Sequence, residues 1–346
     1  MSGLVLLGAL LLIALAEAFS RREDLRHLHV VFELDSKLVE PGEETALRCT
    51  VYNTSPWPLL YAGLTLRLDP DFRVCEDEDW RRVHLSEDFT GSRIDYHFYL
   101  LPHRKFSAKI RLNVSRRGLY DLGRYYLESG DLLGLRPVMR SGETELRLIC
   151  TAAACDAQQI APLGGTLGDI SVRRFIHEDP SLLLGYREYT GYEPMKQISW
   201  TQTAKAGQLM VRQYDHTTDR VAIVLVNMYS AERLRKERCL ELTRTVCERL
   251  EAAHIPYSLY SNGDLRSVSE GLGRNHLFLI QRRIGLSRLT GYTGFPALVD
   301  ACLLRRRSDC SFIVITPALT PEEDGALARL RRFADHEPCV LYGGDT

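Results

Sequence analysis

Between His27 and Cys150 apolar and polar residues alternate over short spans. Leu28–Leu34 (LHVVFEL), Glu44–Asn53 (ETALRCTVYN), Leu64–Asp69 (LTLRLD), Asp95–Leu101 (DYHFYLL), Ala108–Val114 (AKIRLNV) and Glu145–Thr151 (ELRLICT) each read as a strand. Turn-forming clusters such as EPGEE and SRRGLYDLG separate them. Short strands at this spacing predict an antiparallel β-sandwich over residues 27–150.

Beyond Asp215 the period changes. Val221–Val226 (VAIVLV) is an apolar, β-branched run of buried-strand type, and Ala231–His254 follows with helical spacing. Then come a strand at PYSLYS, helices near Gly273–Leu289 and Pro296–Arg306, a strand at Ser311–Thr316, a helix over Pro321–Ala334 and a last strand at PCVLYG. Strands alternating with helices predict an α/β domain over residues 216–346, with a parallel sheet covered on both faces. Ligands of such sheets meet the loops at the carboxyl ends of the strands. Here those loops are Asn227–Ser230, Ser261–Asp264 and Thr316–Thr320. Residues 151–215 form a linker and motif segment whose first part, CDAQQIAPLGGTLGDI, reads as a connector.

Composition fits folded domains: 346 residues, 45% hydrophobic and 26% charged, with a net charge of −1 that gives no field for nucleic acid. The nine cysteines are scattered without metal-site spacing, as core thiols are. The run from Leu4 to Ala16 is uncharged, and positive charges (Arg21, Arg22, Arg26) follow it instead of preceding it. That order predicts a membrane helix over residues 1–20, a single-pass placement in the cell membrane and a cytoplasmic main body. The small-x-small pattern at Ala16–Ala18 is the mark of the alternative, a cleaved signal.

Candidate chemistry is sparse. A von Willebrand factor A domain holds a divalent cation on an Asp-x-Ser-x-Ser loop after its first strand, helped by Thr and Asp from later loops. Here the loop reads Val226-Asn227-Met228-Tyr229-Ser230, and Pro317 follows Thr316. Asn227, Ser230 and Thr316 make a degenerate loop without the carboxylate a hard cation needs, so neither a metal nor any other cofactor is expected. No HExxH, GxSxG or Walker loop occurs, and no small-molecule substrate is indicated. The acidic triplet Glu322, Glu323 and Asp324 could serve a metal-dependent hydrolase. After Thr320-Pro321, however, it has the form of a capped helix start.

The densest feature lies at Gly185–Asp215, where Arg187, Lys196, Lys205 and Arg212 stand among Tyr186, Tyr189, Tyr192, Trp200 and Tyr214. In order, Arg187-Glu188-Tyr189, Gly191, Lys196-Gln197-Ile198-Ser199-Trp200, Thr203-Ala204-Lys205, Gly207 and Leu209-Met210-Val211-Arg212 resemble the central pattern of domain-of-unknown-function family 58. Arg116–Leu135 resembles that family's upstream Arg-Gly-x-Tyr and Asp-x-x-Gly-Leu segments. The chain departs from the pattern at Tyr192, where the family has Asp, and at Lys196 and Lys205, where it has Arg. The resemblance implies a membrane-anchored scaffold or adaptor that partners a MoxR-type AAA+ ATPase in assembling or maturing an envelope complex. It also implies a von Willebrand A-like C-terminal domain; with no catalytic motif in the sequence, no enzymatic activity is expected. Two roles stay open for Arg187, Tyr189, Gly191, Lys196, Trp200, Lys205 and Arg212: a buried brace between sandwich and parallel sheet, the first expectation, or a docking face. Against the adaptor stands an exported ligand-binding protein with an immunoglobulin-like sandwich.

Overall fold

A computed structural model describes residues 8, 11, 15, 25–56, 58–75, 83–88, 91–130, 138–156, 158–165, 183–191, 193–214, 221–304, 310–334 and 337–344. The chain divides into two compact units, Met1–Ala153 and Ala154–Thr346.

In the first unit, one sheet takes the order β1 (Leu28–Leu34), β3 (Glu44–Asn53), β8 (Lys105–Val114), β5 (Phe72–Cys75). A second takes the order β11 (Val138–Glu143), β10 (Arg124–Ser129), β4 (Leu59–Leu68), β7 (Gly91–Leu100), β6 (Val83–Asp88). All pairings in both sheets are antiparallel. A small third sheet joins β2 (Leu38–Val39), β12 (Arg147–Cys150) and β9 (Gly118–Asp121). Alternation along the strands explains the layering: Leu47, Cys49 and Val51 of β3 share one apolar cluster with Leu64, Leu66 and Leu68 of β4 and with Ile94 and Tyr96 of β7. The expected sandwich is therefore present, with more strands than the pattern predicts. RYYLES, hidden behind the turn signal at SRRGLYDLG, is an inner strand of the five-stranded sheet; its Leu127 is buried. Gly91 and Gly123 take positive φ (126° and 80°), and a Cβ on either would meet a backbone carbonyl of β4 at 2.0 or 2.1 Å.

In the second unit, residues 161–165, expected as connector, are helical, and Ile160 just before them and Leu163 among them are buried. The motif segment is a hairpin of β13 (Leu183–Glu188) and β14 (Met210–Tyr214). Between its strands run a 3-10 turn, Met195–Gln197, and helix α1 (Trp200–Ala206). The α/β sheet takes the order β17 (Val268–Gly271), β16 (Tyr257–Ser261), β15 (Val221–Val226), β18 (Cys310–Thr316), β19 (Cys339–Tyr342). Its helices are α2 (Arg233–Ala252), α3 (Arg274–Leu286), α4 (Phe295–Leu303) and α5 (Pro321–Phe333). Every residue of β15 and β18 is buried, as continuous apolar runs require in a covered sheet. One strand escapes the expectation of a parallel sheet: β17 is short, carries the polar sequence VSEG, and pairs antiparallel on the edge.

The membrane placement needs correction. Among the described residues no helix is long and apolar enough to cross a membrane. The uncharged run from Leu4 to Ala16 also falls short of the roughly 20 residues a spanning helix needs. Of residues 1–20 themselves only Gly8, Leu11 and Leu15 are described, so the rest of the expected anchor lies outside the described residues. The single-pass, cytoplasmic-body placement falls with it.

Candidate functional site

At the carboxyl ends of the three central parallel strands, β16, β15 and β18, the first residues beyond the strands are locked together. Asn227, directly after β15, is fully buried. Its Nδ2 donates to Thr316 Oγ1 at 3.1 Å and to Glu323 Oε1 at 2.9 Å. Its Oδ1 accepts from the backbone N–H of Tyr229 at 3.0 Å and from Asn262 Nδ2 at 2.8 Å. Asn262, directly after β16, donates its other amide hydrogen to the Thr293 carbonyl at 2.7 Å and accepts from the Met228 N–H at 2.7 Å. Thr316 passes its hydroxyl hydrogen to the Ala318 carbonyl at 2.8 Å. Every donor and acceptor of the Asn227 side chain is thus used, and the three strand ends are tied to the start of α5.

Glu323 belongs to this network because it closes a capping box. Thr320 Oγ1 accepts from the Glu323 N–H, while Glu323 Oε2 accepts from the Thr320 N–H at 2.8 Å. The capped-helix reading of the acidic triplet holds, and both carboxylate oxygens of Glu323 are engaged. Ser230 is not part of the cluster; its hydroxyl accepts locally from the Glu232 N–H at 3.2 Å.

The cation implied by the von Willebrand A comparison does not fit these residues. Where a metal would face oxygen ligands, the amide hydrogens of Asn227 already point at Thr316 Oγ1 and Glu323 Oε1. A neutral amide cannot bring the carboxylate charge a hard cation requires. Among the described residues no group of three or more His, Cys, Asp or Glu side chains is placed to hold a metal.

Thiol chemistry is equally ill served. All nine cysteines are free, and seven are buried, as core thiols are. Burial pushes Cys239 and Cys302 up to about 12 and Cys155 up to about 11, which holds them protonated and poorly nucleophilic. His276 is pulled down by burial, and its Nε2 lies 3.1 Å from the Tyr257 carbonyl oxygen, a structural contact.

The motif residues are brought together on the hairpin and its insert, but not in a core. Trp200, which the brace required to be packed, is 62% exposed at the first position of α1, and Met195 is 70% exposed. Arg187, Lys196, Lys205 and Arg212 are exposed as well, and Tyr189 is half-buried. The apolar anchors of this small unit are instead Ile198 and Val211, both buried and joined by a backbone bridge. Gly191 takes φ +96° in the turn after β13, a conformation other residues adopt only at a cost. Beside it Glu193 organises the turn: it accepts from the Thr190 hydroxyl at 2.7 Å, the Thr190 N–H at 3.1 Å and Arg187 Nη1. Those hydrogen bonds, that of the Thr190 hydroxyl foremost, hold its carboxyl down at about 2.

What sequence reasoning missed is that Asn262, in the Ser261–Asp264 loop, and Glu323, in the acidic triplet, join Asn227 in one cluster. A signal was available for the first: V-N and S-N place an Asn immediately after each of two neighbouring strands. Gly263 beside it is another trace, since a Cβ there would meet the Thr290 carbonyl oxygen at 2.5 Å.

No protein-family model matches the chain, and no curated protein does. Among solved structures the chain is similar to a type I cohesin from Pseudobacteroides cellulosolvens, at 14% identity over 37% of this chain and 94% of that chain, with a TM-score of 0.24. It is also similar to the CARDB domain of a Pyrococcus furiosus protein in complex with di-metal ions, at 7% identity over 37% and 97%, with a TM-score of 0.23. A family 20 exo-β-N-acetylglucosaminidase from Vibrio harveyi covers 88% of this chain and 60% of its own, at 9% identity and a TM-score of 0.26. Superpositions this shallow say nothing about activity or partners.

Asn227→Ala orphans a Glu323 oxygen, the Tyr229 N–H and an Asn262 amide hydrogen, takes one of its two bonds from Thr316 Oγ1, and should cost about 2–4 kcal/mol of unfolding free energy. In the unaltered chain, millimolar Mg²⁺ should leave the thermal midpoint in place; a rise of several degrees that Asn227→Ala abolishes would show a working cation site. In the hairpin turn, the folded-state carboxyl of Glu193 lies below its ordinary value of 4.5. Its contribution is full above about 4.5 and is lost as pH falls toward about 2. An NMR titration should find Glu193 protonating near the lower value, and Thr190→Val should move it back toward the ordinary one.

Proposed function

We propose that the chain is a non-catalytic adaptor whose hairpin segment, β13–α1–β14, is a docking face for a protein partner. The observation that carries this is the exposure of Trp200, with Met195, Lys196, Lys205 and Arg212 also exposed on one small folded unit. Trp, Tyr and Arg are the side chains that most often anchor protein interfaces, and a Trp exposed on a monomer's surface has apolar area to bury against a partner. The closed Asn227 network supports the non-catalytic part, since the strand-end loops, the usual ligand position in α/β folds, are occupied by their own side chains.

The resemblance to domain-of-unknown-function family 58 supplies the partner: a MoxR-type AAA+ ATPase. On the same ground the α/β domain is a von Willebrand A-like domain in which an amide stands where the family's cation would be. The exported ligand-binding alternative has no separate observation in the second unit to favour it.

The test is co-purification of the full chain with the co-expressed ATPase. Trp200→Ala should weaken the complex by roughly 30-fold, as an interface anchor of about 2 kcal/mol does, and Lys205→Glu should weaken it further at low salt. Neither change should move the denaturant midpoint beyond the scatter of surface substitutions, about 0.5 kcal/mol. A lowered midpoint with an intact complex would make Trp200 structural, and a complex indifferent to both changes would place docking elsewhere.

A further inference from the structure

The outer face of the five-stranded sandwich sheet holds three arginines side by side. Strand register sets Arg124 of β10 opposite Arg67 of β4, and Arg67 opposite Arg93 of β7. Like charges at directly opposed positions of neighbouring strands are unfavourable. The two flanking arginines are neutralised: Arg93 Nε lies 3.0 Å from an Asp95 carboxylate oxygen, and Arg124 Nε 3.2 Å from Glu143 Oε1. Arg67, between them, is exposed and has no carboxylate partner among the described residues.

Arg67 lines a cleft of about 230 Å³ with Thr65, Arg93, Tyr126, Glu128 and Met139. Register places these residues in successive rows. Thr65 is flanked by Tyr126 and Asp95, and Gly63, two residues further along β4, is flanked by Glu128 and His97. Gly63 has no side chain to fill its place in the outer face, and Glu128 leans over it, with Oε2 3.8 Å from where a Cβ would stand. The Thr65 hydroxyl is oriented by donation to Asp95 Oδ1, which leaves its lone pairs toward the cleft as acceptors. Neither the Glu128 carboxylate nor the Tyr126 hydroxyl has a hydrogen-bond partner among the described residues. The cleft therefore offers an open guanidinium in one row, an open carboxylate two rows away, and a phenol and an oriented hydroxyl between them.

We propose that this cleft binds a small polyhydroxylated anion of the sugar-acid class. Its carboxylate pairs with the Arg67 guanidinium, whose planar fork matches that group, and relieves the like-charge row. Hydroxyls of the ligand donate to Glu128 and Thr65 and exchange a hydrogen bond with Tyr126. The volume lies below the roughly 300–1,000 Å³ of drug-sized sites and suits a single ring. A simple inorganic anion satisfies Arg67 and leaves Glu128 open, whereas a neutral sugar does the reverse; only a ligand carrying both functions serves the whole cleft.

The experiment is a titration of the full chain with sodium glucuronate, glucose and inorganic phosphate at matched ionic strength, read by NMR shifts and thermal midpoint. Glucuronate should bind at least 10-fold more tightly than glucose or phosphate. Arg67→Ala should abolish that preference while leaving the ligand-free midpoint unchanged or higher, because a like-charge row has been broken. Glu128→Gln should weaken glucuronate several-fold and leave phosphate unaffected. Absence of any glucuronate response at tens of millimolar, equal binding of phosphate, or an undiminished response in Arg67→Ala would each overturn the proposal. A ligand-free midpoint that falls in Arg67→Ala would also overturn it, by making Arg67 a structural residue.

Discussion

The second unit turns on one buried amide. Loops at the end of a parallel sheet have no ladder to hold them, and their polar groups must find partners locally once helices cover both faces. Asn227 meets that need by itself. It donates twice and accepts twice, and its four partners come from its own loop, the loop after β16, the end of β18 and the first turn of α5. In a low-dielectric setting such bonds are strong when complete and costly when one is missing, so the cluster acts as a unit. The helix cap of α5 and the ordering of the strand ends are parts of one structure, joined through the two oxygens of Glu323.

The sandwich rests on a different principle. Its sheets are held by area and alternation, and no polar cluster comparable to that around Asn227 is needed between them. Leu64, Leu66, Ile94 and Leu112 are fully buried, and each stands one residue away from a polar or exposed neighbour on the same strand. The charged side chains are thereby placed on the outer faces, where the arginine row sits, while small polar residues such as Thr45, Asn53, Ser92 and Ser129 are accommodated inside.

Much of the fold is legible in the sequence because it follows from period alone. VAIVLV and SFIVIT announce buried strands by their β-branched content, and Ala231–His254 announces a helix by its spacing, to within two residues at each end. What escapes is structure made by tertiary pairing. RYYLES has no clean alternation, and VSEG is too polar and short to announce a strand; both are fixed by the neighbours they pair with. Among candidate sites, Asn227 and Thr316 are singled out by their places at the strand ends, and they do meet, but nothing in the local pattern shows that Glu323 closes the cluster from 96 residues away. Trp200 is exposed, where a packed aromatic is the first expectation. A large aromatic usually buries itself, but among the described residues of this hairpin the buried apolar ones are Ile198 and Val211 alone.

That last feature bears on how the hairpin would respond to company. The segment is two short strands and a seven-residue helix, and two-stranded sheets are marginal in water on their own. Elements with few buried apolar contacts open locally more readily than core strands do. Anything that grips only its closed form must first contend with the fraction that is open, and its apparent affinity scales with the closed population. The Glu193 turn and the left-handed Gly191 raise that population in advance. If the segment is the docking face proposed above, a substitution in the turn registers as weaker binding even though every atom that touches the partner is unchanged.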